Sequence, residues 1–399
     1  MFLCKHVITG IRNIRILKIF YSLYAIEILL LVAIYALYGQ NRALQTNSID
    51  PPEIADISKE KSFKHNVPFG QNFKYPLEID MLQLSRDIHS NNTRENVKII
   101  NPHPFSYTML PKRKCNLKVR GNWTIIIIVK SDIRNEERRQ VIRNTWGNTS
   151  NISDVSVVFM LGVEDMPLSA EETKYEDIIQ ENFIDDYRNN TLKTIMGFNW
   201  AVKHCKTANY LFFVDDDYFV NVASLMTLPN RCKNNHNVYL GSITSNAIPY
   251  RDKDSKWYIS WEDYPYDKWP PYIMGGAYLV SMKTARQFQI IFPYVKPIHM
   301  DDVFLGIVSH KLNIRPIGVP SFYSGRKKGH KITGSIVASH GYENSVDVYR
   351  AWKQLPKKYG FENFINVTKI VKPHDIKWKN ELKGKFKREV PYQTAKSKA

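Results

Sequence analysis

Cysteine is scarce in this chain, and its spacing excludes several kinds of site. The 399 residues contain four cysteines, Cys4, Cys115, Cys205 and Cys232. None of them forms a C-x-x-C pair, so the paired-cysteine zinc sites of small metal-binding modules are not expected. The sequence also shows no internal repeat and no long low-complexity run. A solenoid or a disulfide-dense scaffold is therefore excluded as well.

Acidic residues are in short supply relative to basic ones. Lys and Arg number 56 against 38 Asp and Glu, giving a formal net charge of +18. A basic surface suits nucleic acid, anionic membranes or small anionic substrates, although composition alone favours a solvated lysine-rich face. No arginine-rich run or zinc-finger spacing accompanies the charge, so no nucleic-acid partner is expected. A hydrophobic content of 43% is enough for one large buried core.

The longest apolar run, residues 19–38, reads IFYSLYAIEILLLVAIYALY and carries one charge, Glu27. A run of this length spans a bilayer core as a helix. A cleaved signal peptide and a buried core helix are the alternatives, but the run has no clear small-x-small cleavage site. We predict a type II signal anchor with residues 1–18 in the cytosol, because basic residues cluster before the run: Lys5, Arg12, Arg15 and Lys18.

The rest of the chain would then lie in the lumen, in three parts. Residues 39–114 are predicted to be a stem, residues 115–375 the lumenal domain, and residues 376–399 a basic tail. Part of the stem is expected to pack on the domain, because it carries Phe63, Phe69, Phe73 and Tyr75. Asn-x-Ser/Thr triplets support the lumenal side, since all of them follow the anchor: Asn91, Asn122, Asn148, Asn151, Asn189 and Asn366.

Three cysteines remain for an oxidising lumen, because Cys4 precedes the anchor. One disulfide with one thiol left over is the simplest arrangement. We predict Cys205 with Cys232, because the two are close in sequence and flank the same predicted strand.

Strand and helix patterns alternate through the lumenal domain. The apolar, β-branched runs at 123–129, 155–161 and 210–214 predict buried strands. Helical patterns fall between and after them, at 134–146, 170–179 and 192–204. This alternation predicts an α/β sheet with right-handed crossovers, and a ligand site beyond the carboxyl ends of its strands.

Asp215, Asp216 and Asp217 follow the YLFFV strand directly. Three adjacent carboxylates repel one another unless a cation or hydrogen-bond donors compensate. Mn²⁺ or Mg²⁺ fits such oxygen ligands, and backbone alternation places Asp215 and Asp217 on one side. The alternative is that the three aspartates form only a polar turn after the strand.

A second acidic pair, Asp301 and Asp302, begins a predicted helix, where Asp301 is either an N-cap or a functional residue.

With these motifs, the lumenal part resembles the metazoan β-1,3-glycosyltransferases, a family of β-1,3-galactosyl- and N-acetylglucosaminyltransferases, and most of all their brainiac type. The matching stretches occur in the family's order between about residues 120 and 345. They are RRQVIRNTWG (138–147), VFMLG (158–162), YEDIIQENFIDDYRNNTLKT (175–194), YLFFVDDDYFVN (210–221), KWYISWEDYPYDKWPPYIMGGAYLVS (256–281), DDVFLGIV (301–308) and SIVASHGY (335–342).

The resemblance implies a GT-A-type, Rossmann-like nucleotide-sugar transferase domain, a UDP-sugar donor, Mn²⁺, inversion at the anomeric carbon and residence in the Golgi membrane. It assigns Asp215, Asp217 and His340 to the metal, Asp216 to the donor nucleotide, and Asp302 to the catalytic base. The family's usual acidic pair is Glu-Asp, so Asp301-Asp302 is a mild departure of the brainiac kind. Without the resemblance, His340 would be read as a surface histidine.

Further residues are predicted with alternatives open. Arg139 and Arg143 share a helical face and suit a phosphate, or else form surface salt bridges. Lys193 is predicted either to contact the UDP-sugar donor or to be an ordinary lysine at the start of a helix. Gly275 and Gly276 either allow the backbone to approach the donor sugar closely or form a plain turn. The acceptor is expected to contact Asp301 and tryptophans that otherwise belong to the core or its rim, Trp257, Trp261 and Trp269.

The predicted function is Mn²⁺-dependent transfer of GlcNAc or Gal from a UDP-sugar to the 3-hydroxyl of an acceptor sugar. The acceptor partner is a glycosphingolipid or a glycoprotein glycan, and the sequence leaves both the donor and the acceptor open. A non-catalytic lumenal chaperone or lectin of the same fold is the alternative. A metal-dependent phosphate-ester hydrolase is a third interpretation. The sequence argues against it, because it lacks the several His and Asp ligands of a two-metal site.

Overall fold

The structure is a computed structural model that describes residue 73 and residues 75–90, 97–118, 123–164, 169–232, 237–325 and 336–355. The predicted cytosolic tail, the anchor at 19–38, most of the stem and the basic tail lie outside these residues and stay predictions. Within the described ranges, no helix is both long and apolar enough to cross a membrane.

Most of the strands belong to one mixed sheet, and a small second sheet lies beside it. The strands are β1 (Tyr107–Met109), β2 (Ile125–Lys130), β3 (Val155–Val163), β4 (Ile178–Ile184), β5 (Tyr210–Asp215), β6 (Tyr218–Val220), β7 (Tyr239–Thr244), β8 (Tyr272–Ser281), β9 (Ile317–Gly318), β10 (Phe322–Tyr323) and β11 (Ala338–His340). The large sheet has the order β1-β4-β3-β2-β5-β8-β7-β9, and the small one β10-β11-β6. The predicted α/β class is confirmed.

Helices cover the sheet and connect its strands. They are α1 (Met81–His89), α2 (Glu136–Asn144), α3 (Ser169–Tyr175), α4 (Asn190–His204), α5 (Val222–Leu225), α6 (Leu228–Arg231), α7 (Met282–Ile291), α8 (Asp301–Lys311) and α9 (Ser345–Gln354), with 3₁₀ turns at Tyr187–Asn189 and Phe292–Tyr294. Strands β4, β3, β2 and β5 are parallel neighbours, as the alternation predicted. Strand β8 runs antiparallel to β5 and β7, so the sheet is mixed rather than wholly parallel.

Strand β2 shows why the apolar runs are central strands. Its residues are fully buried, and successive side chains enter different cores. Ile126 and Ile128 belong to the core formed with α4, α7 and α8. Ile125 and Ile127 belong to the core on the opposite face, formed with α2 and α9. A strand buried on both faces needs the unbroken β-branched run that the sequence shows.

The helix predicted over 170–179 is shorter than expected. Helix α3 ends at Tyr175, and Glu176 has a φ of 48°, a left-handed conformation that stops a helix. Ile178 and Ile179 instead begin β4, beside Phe159 and Met160 of β3. The β-branched pair at 178–179 belongs to a strand because it completes the parallel sheet.

Part of the predicted stem packs on the domain, as its aromatic residues indicated. Phe73 is buried, and Tyr75 packs against the same core. The Lys311 ammonium, at the end of α8, donates to the carbonyls of Phe73 and Leu77 at 3.0 and 2.8 Å. The backbone at Phe73 and at Leu77 is therefore fastened to the helix that begins with the Asp301-Asp302 pair.

The predicted disulfide between Cys205 and Cys232 is wrong. The structure joins Cys205 to Cys115, with the two Cα atoms 4.7 Å apart. Cys205 ends α4 and lies in the core on one face of the large sheet, where Cys115 also packs. Cys232 packs against the core of the opposite face. Closeness in sequence misled the prediction because the sheet separates the two side chains.

Candidate active site

Asp217 and His340 meet because two short strands pair. Asp217 follows the end of β5 and precedes β6, which runs antiparallel to β11 with Tyr218 opposite His340. The His340 Nε2 and Asp217 Oδ2 atoms are 3.1 Å apart. Hydrogen bonding to Asp217 raises the pKa of His340 above its ordinary value. The structure therefore brings together two residues that the family resemblance assigns to the metal, and that assignment stays a prediction.

The same corner has the ligands of a divalent-cation site. Asp217, His340 and Glu343 each offer one ligand atom, and these atoms lie within 4.8 Å of one another. The other Asp217 oxygen, Oδ1, is buried and has no hydrogen-bond partner among the described residues. A buried, unsatisfied carboxylate oxygen is costly, and a cation would satisfy it. Carboxylate and imidazole ligands fit Mn²⁺, so these residues fit the expected group.

Asp215 does not join this cluster, contrary to its predicted role as a metal ligand. Its Oδ1 atom is 2.9 Å from the ammonium of Lys130, the last residue of β2. Lys130 is the residue paired with Asp215 in the parallel register of β2 and β5, so both side chains leave the same edge of the sheet. Burial raises the pKa of Asp215 to about 6, against the opposing effect of Lys130. Asp215 is held by a protein cation.

Lys130 also reaches the helix that carries the second acidic pair. Its ammonium is buried and lies 2.9 Å from Asp301 Oδ2, and it donates to the Gly275 carbonyl at 2.9 Å. Burial alone would lower the pKa of Lys130, but Asp215 and Asp301 together raise it well above its ordinary value. One charged ammonium thus joins the ends of β2 and β5 to the start of α8. Sequence reasoning missed Lys130, although a lysine ending an IIIIV run signals a buried charge.

Asp301 and Asp302 differ sharply in their surroundings. Asp301 is buried, and the Thr194 hydroxyl donates to its Oδ2 atom at 2.7 Å, beside Lys130. The predicted acceptor contact at Asp301 is therefore corrected, since its carboxylate is committed inside the protein. Asp302 is only partly buried and accepts from the Val303 amide at 2.8 Å. Burial and then the charge of Asp301 raise the pKa of Asp302 to about 6.

Asp216 points to the other side of the strand end, as the alternation predicted. It accepts from Ser131 Oγ, Asn135 Nδ2 and Arg138 Nη1 at 2.7, 2.9 and 2.9 Å. It lines a cavity of about 450 Å³, a size suited to a small ligand. The cavity lies between the start of α2 and the loop before α9, and its lining includes Arg134, Arg138, Val141, Ile142, Tyr342 and Glu343.

Arg139 was predicted to contact the donor, and the structure corrects this. Its guanidinium is fully buried and donates to both carboxylate oxygens of Glu171 at 2.8 and 2.7 Å. It also donates to Ser131 Oγ and to the carbonyls of Asp132 and Ile133. All five N–H groups of the side chain are thereby used. Arg139 fixes the loop after β2, and its neighbour Arg138 faces the cavity instead.

Arg143 and Lys193 are likewise committed to internal partners. Arg143 donates to both oxygens of Asp177 at 2.9 and 2.8 Å, and lies 2.7 Å from Glu171. Lys193 donates to Asp185 Oδ1 at 2.6 Å, and also to a backbone carbonyl of the loop after β2. Both predicted donor contacts are corrected, because buried pairs of this kind leave no charge free for a ligand.

The glycines predicted to contact the donor sugar, and the tryptophans predicted to contact the acceptor, pack against other protein groups. A Cβ atom at Gly276 would lie 2.2 Å from the Tyr218 hydroxyl, and one at Gly275 would lie 3.0 Å from Asp301 Oδ1. The glycines thus make room for protein groups at the site. Trp269 is buried, with its ring centroid 4.0 Å from that of Tyr264, so its predicted acceptor contact is corrected. Trp261 is 36% exposed, and the guanidinium of Arg251 lies over its ring.

Comparison with known proteins identifies relatives. A family profile described as galactosyltransferase matches residues 137–320. The chain is 32% identical over 300 residues to the β-1,3-galactosyltransferase brn of Drosophila melanogaster, covering 73% of this chain and 88% of that protein. It is 32% identical over 280 residues to a lactosylceramide 1,3-N-acetyl-β-D-glucosaminyltransferase B of Danio rerio, covering 64% and 72%. It is 30% identical over 279 residues to human β-1,3-galactosyltransferase 2, covering 64% and 63%.

Replacing Lys130 with methionine is expected to lower the free energy of unfolding by about 3–5 kcal/mol, because the buried carboxylate of Asp301 and the partly exposed carboxylate of Asp215 lose their cation. Denaturant unfolding of the wild type and of Lys130→Met measures this loss. Adding Asp301→Asn to Lys130→Met should recover part of it, since one uncompensated charge is removed. Lys203→Met, on the surface of α4, is the matched control and should change stability by less than about 0.5 kcal/mol. A Lys130→Met variant as stable as this control would contradict the ion bridge.

Replacing Asp217 with asparagine is expected to weaken Mn²⁺ binding at least about tenfold, because the variant loses a charged ligand of the proposed cation site. Calorimetric titration with Mn²⁺ in the presence of UDP measures the dissociation constant. Asp252→Asn, in an exposed loop, serves as the matched control and should bind Mn²⁺ as the wild type does. Equal affinities for Asp217→Asn and the control would show that the cation lies elsewhere.

Proposed function

The chain belongs to the galactosyltransferase family, and from that premise we propose that it is an inverting β-1,3-hexosyltransferase that uses a UDP-sugar. The observation that carries the proposal is the ion bridge through Lys130. It holds Asp215, in the DDD motif, and Asp301, the neighbour of Asp302, to one ammonium. The cation ligands and the partly buried Asp302 are therefore parts of one site at the carboxyl edge of the sheet.

We assign the donor nucleotide to the cavity that Asp216 and Arg138 line. A neutral ribose or uracil can pack on the aliphatic residues of its lining, Val141, Ile142 and Val348. Arg138 pairs with Asp216 through one nitrogen, but it is 30% exposed and has further N–H groups to offer a phosphate. Asp217, His340 and Glu343 would hold the divalent cation, which supplies charge stabilisation to the departing diphosphate. This division keeps the nucleotide on one side of the DDD motif and leaves Asp302 for the acceptor.

Asp302 is the proposed general base. It takes the proton from the acceptor 3-hydroxyl as that oxygen bonds to the anomeric carbon and the bond from this carbon to the diphosphate breaks. A carboxyl group with a pKa of about 6 is ionised at neutral pH, and it is a stronger base than an ordinary aspartate. Inversion needs a single base on the face opposite the leaving group. Asp301 acts as a positioning residue, because its carboxylate is fixed by Lys130 and Thr194.

The donor sugar and the setting of the reaction complete the proposal. The relatives' names include both galactosyl- and N-acetylglucosaminyltransferases, which supports a hexose or N-acetylhexosamine donor. A glycosphingolipid or a glycoprotein glycan is the proposed acceptor, and a lipid-linked one agrees with the name of the Danio rerio relative. The type II anchor at 19–38 and the Golgi membrane as location rest on the sequence alone.

Activity is expected to depend on the ionisation of Asp302. Because its carboxyl pKa is raised to about 6, the base is available above that pH and becomes protonated below it. The value of kcat/KM for the acceptor should therefore fall as the pH drops through about 6. In Asp302→Asn this quantity should be at least about 100-fold lower than in the wild type above pH 7, and the difference should narrow below pH 6, where the wild-type base is protonated. Rates of transfer measured from pH 5 to 8, at saturating UDP-sugar, test both expectations.

UDP and Mn²⁺ binding to Asp302→Asn provides the control for that experiment. The base contacts the acceptor and not the nucleotide, so the dissociation constant of UDP should stay within about twofold of the wild-type value. A variant that also loses UDP binding would make Asp302 a donor-binding or structural residue, and the assignment of the base would be wrong.

A further inference from the structure

Three exposed aromatic side chains form a connected group on the surface of the domain. Tyr187, Tyr250 and Trp257 are 47%, 53% and 38% exposed, whereas most aromatic residues of the described ranges are buried or partly buried. We call these three residues the aromatic platform. Exposed aromatic groups in contact with one another mark binding sites more often than scattered ones do.

The platform is held together by specific contacts. The Trp257 indole N–H donates to the Tyr187 hydroxyl at 3.1 Å, and the rings of Tyr250 and Trp257 have centroids 5.2 Å apart. The ammonium of Lys256 lies 4.7 Å from the Trp257 ring centroid and 5.1 Å from that of Tyr187. Each ring is thus oriented before a ligand arrives, which lowers the entropy lost on binding.

Two tethers place the platform beside the proposed base. The His299 imidazole hydrogen-bonds to the carbonyl of Lys256 at 3.0 Å, which fastens the Trp257 loop to the segment that leads into α8. Tyr187 lies at the turn before α4, and the Thr191 hydroxyl in the first turn of that helix donates to the Ile298 carbonyl. Both parts of the platform are therefore attached to residues 298–299, immediately before the Asp301-Asp302 pair.

The electrostatics of Tyr187 agree with this placement. Burial raises the pKa of the Tyr187 hydroxyl above its ordinary value, and the charges of Asp302, Asp301 and Asp215 raise it further, while the bond from Trp257 lowers it. The pKa of Tyr272 is likewise raised, mainly by burial and then by the charges of Asp302 and Tyr250. Tyr187 is thus within electrostatic range of Asp302, and Tyr272 is within that range of both Asp302 and Tyr250.

We propose that the aromatic platform of Tyr187, Tyr250 and Trp257 binds the acceptor glycan, with the apolar C–H face of a sugar ring against Trp257 or Tyr250. The sugar ring would then turn its hydroxyl edge toward Asp302. This inference rests on the proposed function, because it takes Asp302 to be the base that the acceptor must reach. It moves the acceptor site away from Trp269, which is buried, and from Asp301, which is held by Lys130.

The chemistry of the platform suits a glycan better than other ligands. A sugar ring has an apolar face and a polar rim, and the platform pairs aromatic faces with two hydroxyls and the Lys256 ammonium. A stable protein partner buries about 800 Å² on each side, far more than three side chains provide. Trp261 differs from Trp257, because Arg251 lies 3.8 Å from its ring centroid and donates to four backbone carbonyls. We therefore read Trp261 as part of the loop's own structure.

The test compares Trp257→Leu and Tyr250→Ala with Trp261→Leu in the full-length chain in detergent. Transfer to galactose-, mannose- and GalNAc-terminated glycans gives the acceptor KM, and UDP release without any acceptor reports donor handling. Each platform variant should raise the acceptor KM about tenfold or more, the effect of losing one aromatic contact, and leave UDP–Mn²⁺ affinity within twofold. Trp261→Leu should change the acceptor KM less than about twofold.

Several results would overturn the platform. They are an unchanged acceptor KM in both platform variants, or a larger rise in the acceptor KM of Trp261→Leu than in that of the platform variants. If the wild type transfers no sugar, the proposed function fails, and the platform is then judged by binding alone. In that case saturation-transfer NMR with the same glycans should show contact that Trp257→Leu removes. No contact, or contact that survives in Trp257→Leu, would refute the platform independently.

Discussion

The ammonium of Lys130 lies 2.9 Å from a carboxylate oxygen of Asp215 and 2.9 Å from one of Asp301. These groups belong to three elements, β2, β5 and α8, that are far apart in the chain. Without the cation, the buried carboxylate of Asp301 and the partly exposed carboxylate of Asp215 would repel each other, because like charges are screened only weakly beside the protein interior. The position of α8 against the sheet, and with it the position of Asp302, therefore depends on this ammonium. Two further groups take part: the Gly275 carbonyl on β8 accepts from the ammonium, and the Thr194 hydroxyl on α4 donates to Asp301.

A second group of buried charges supports the opposite side of the site. Arg139 ties Glu171 to the loop of residues 131–133, and Ser131 in that loop donates to Asp216. Buried ion pairs of this kind add little net stability, because each charge is costly to remove from water. Their effect is geometric, since they hold the loop after β2 in one arrangement. Internal ion pairs thus hold the backbone around the candidate site in one arrangement. This backbone carries the groups proposed to face a ligand, which are Asp217, Asp302 and Arg138.

The sequence was sufficient for the α/β sheet, and insufficient for the partners of the charged residues. The run IIIIV is short and wholly β-branched, which favours a strand buried on both faces, and the structure places it there. Arg139 and Arg143 are four residues apart, and this spacing is the same for a phosphate-binding pair and for a structural one. Their carboxylate partners lie 32 and 34 residues away, a separation that periodicity cannot detect.

The remaining errors have the same origin in long-range packing. The disulfide prediction failed because Cys205 and Cys232 lie on opposite faces of one sheet, a fact invisible in a count of intervening residues. Glu343 was missed because it joins His340 and Asp217 only after β11 pairs with β6. Trp257 and Trp269 belong to one motif, yet only the first reaches the surface. The motifs therefore supplied the candidate residues, and the topology decided which members of each motif are buried and which are exposed.

The most direct measurement is release of UDP by the full-length chain in detergent, with Mn²⁺, UDP-GlcNAc or UDP-Gal, and glycans ending in mannose, galactose or GalNAc. The account predicts release with one combination of donor and acceptor, loss of this release on adding EDTA, and recovery on adding excess Mn²⁺. If no combination gives release while the protein still binds UDP and Mn²⁺, the chain would not be a transferase for these sugars. A chaperone or lectin of the same fold would then be the better description.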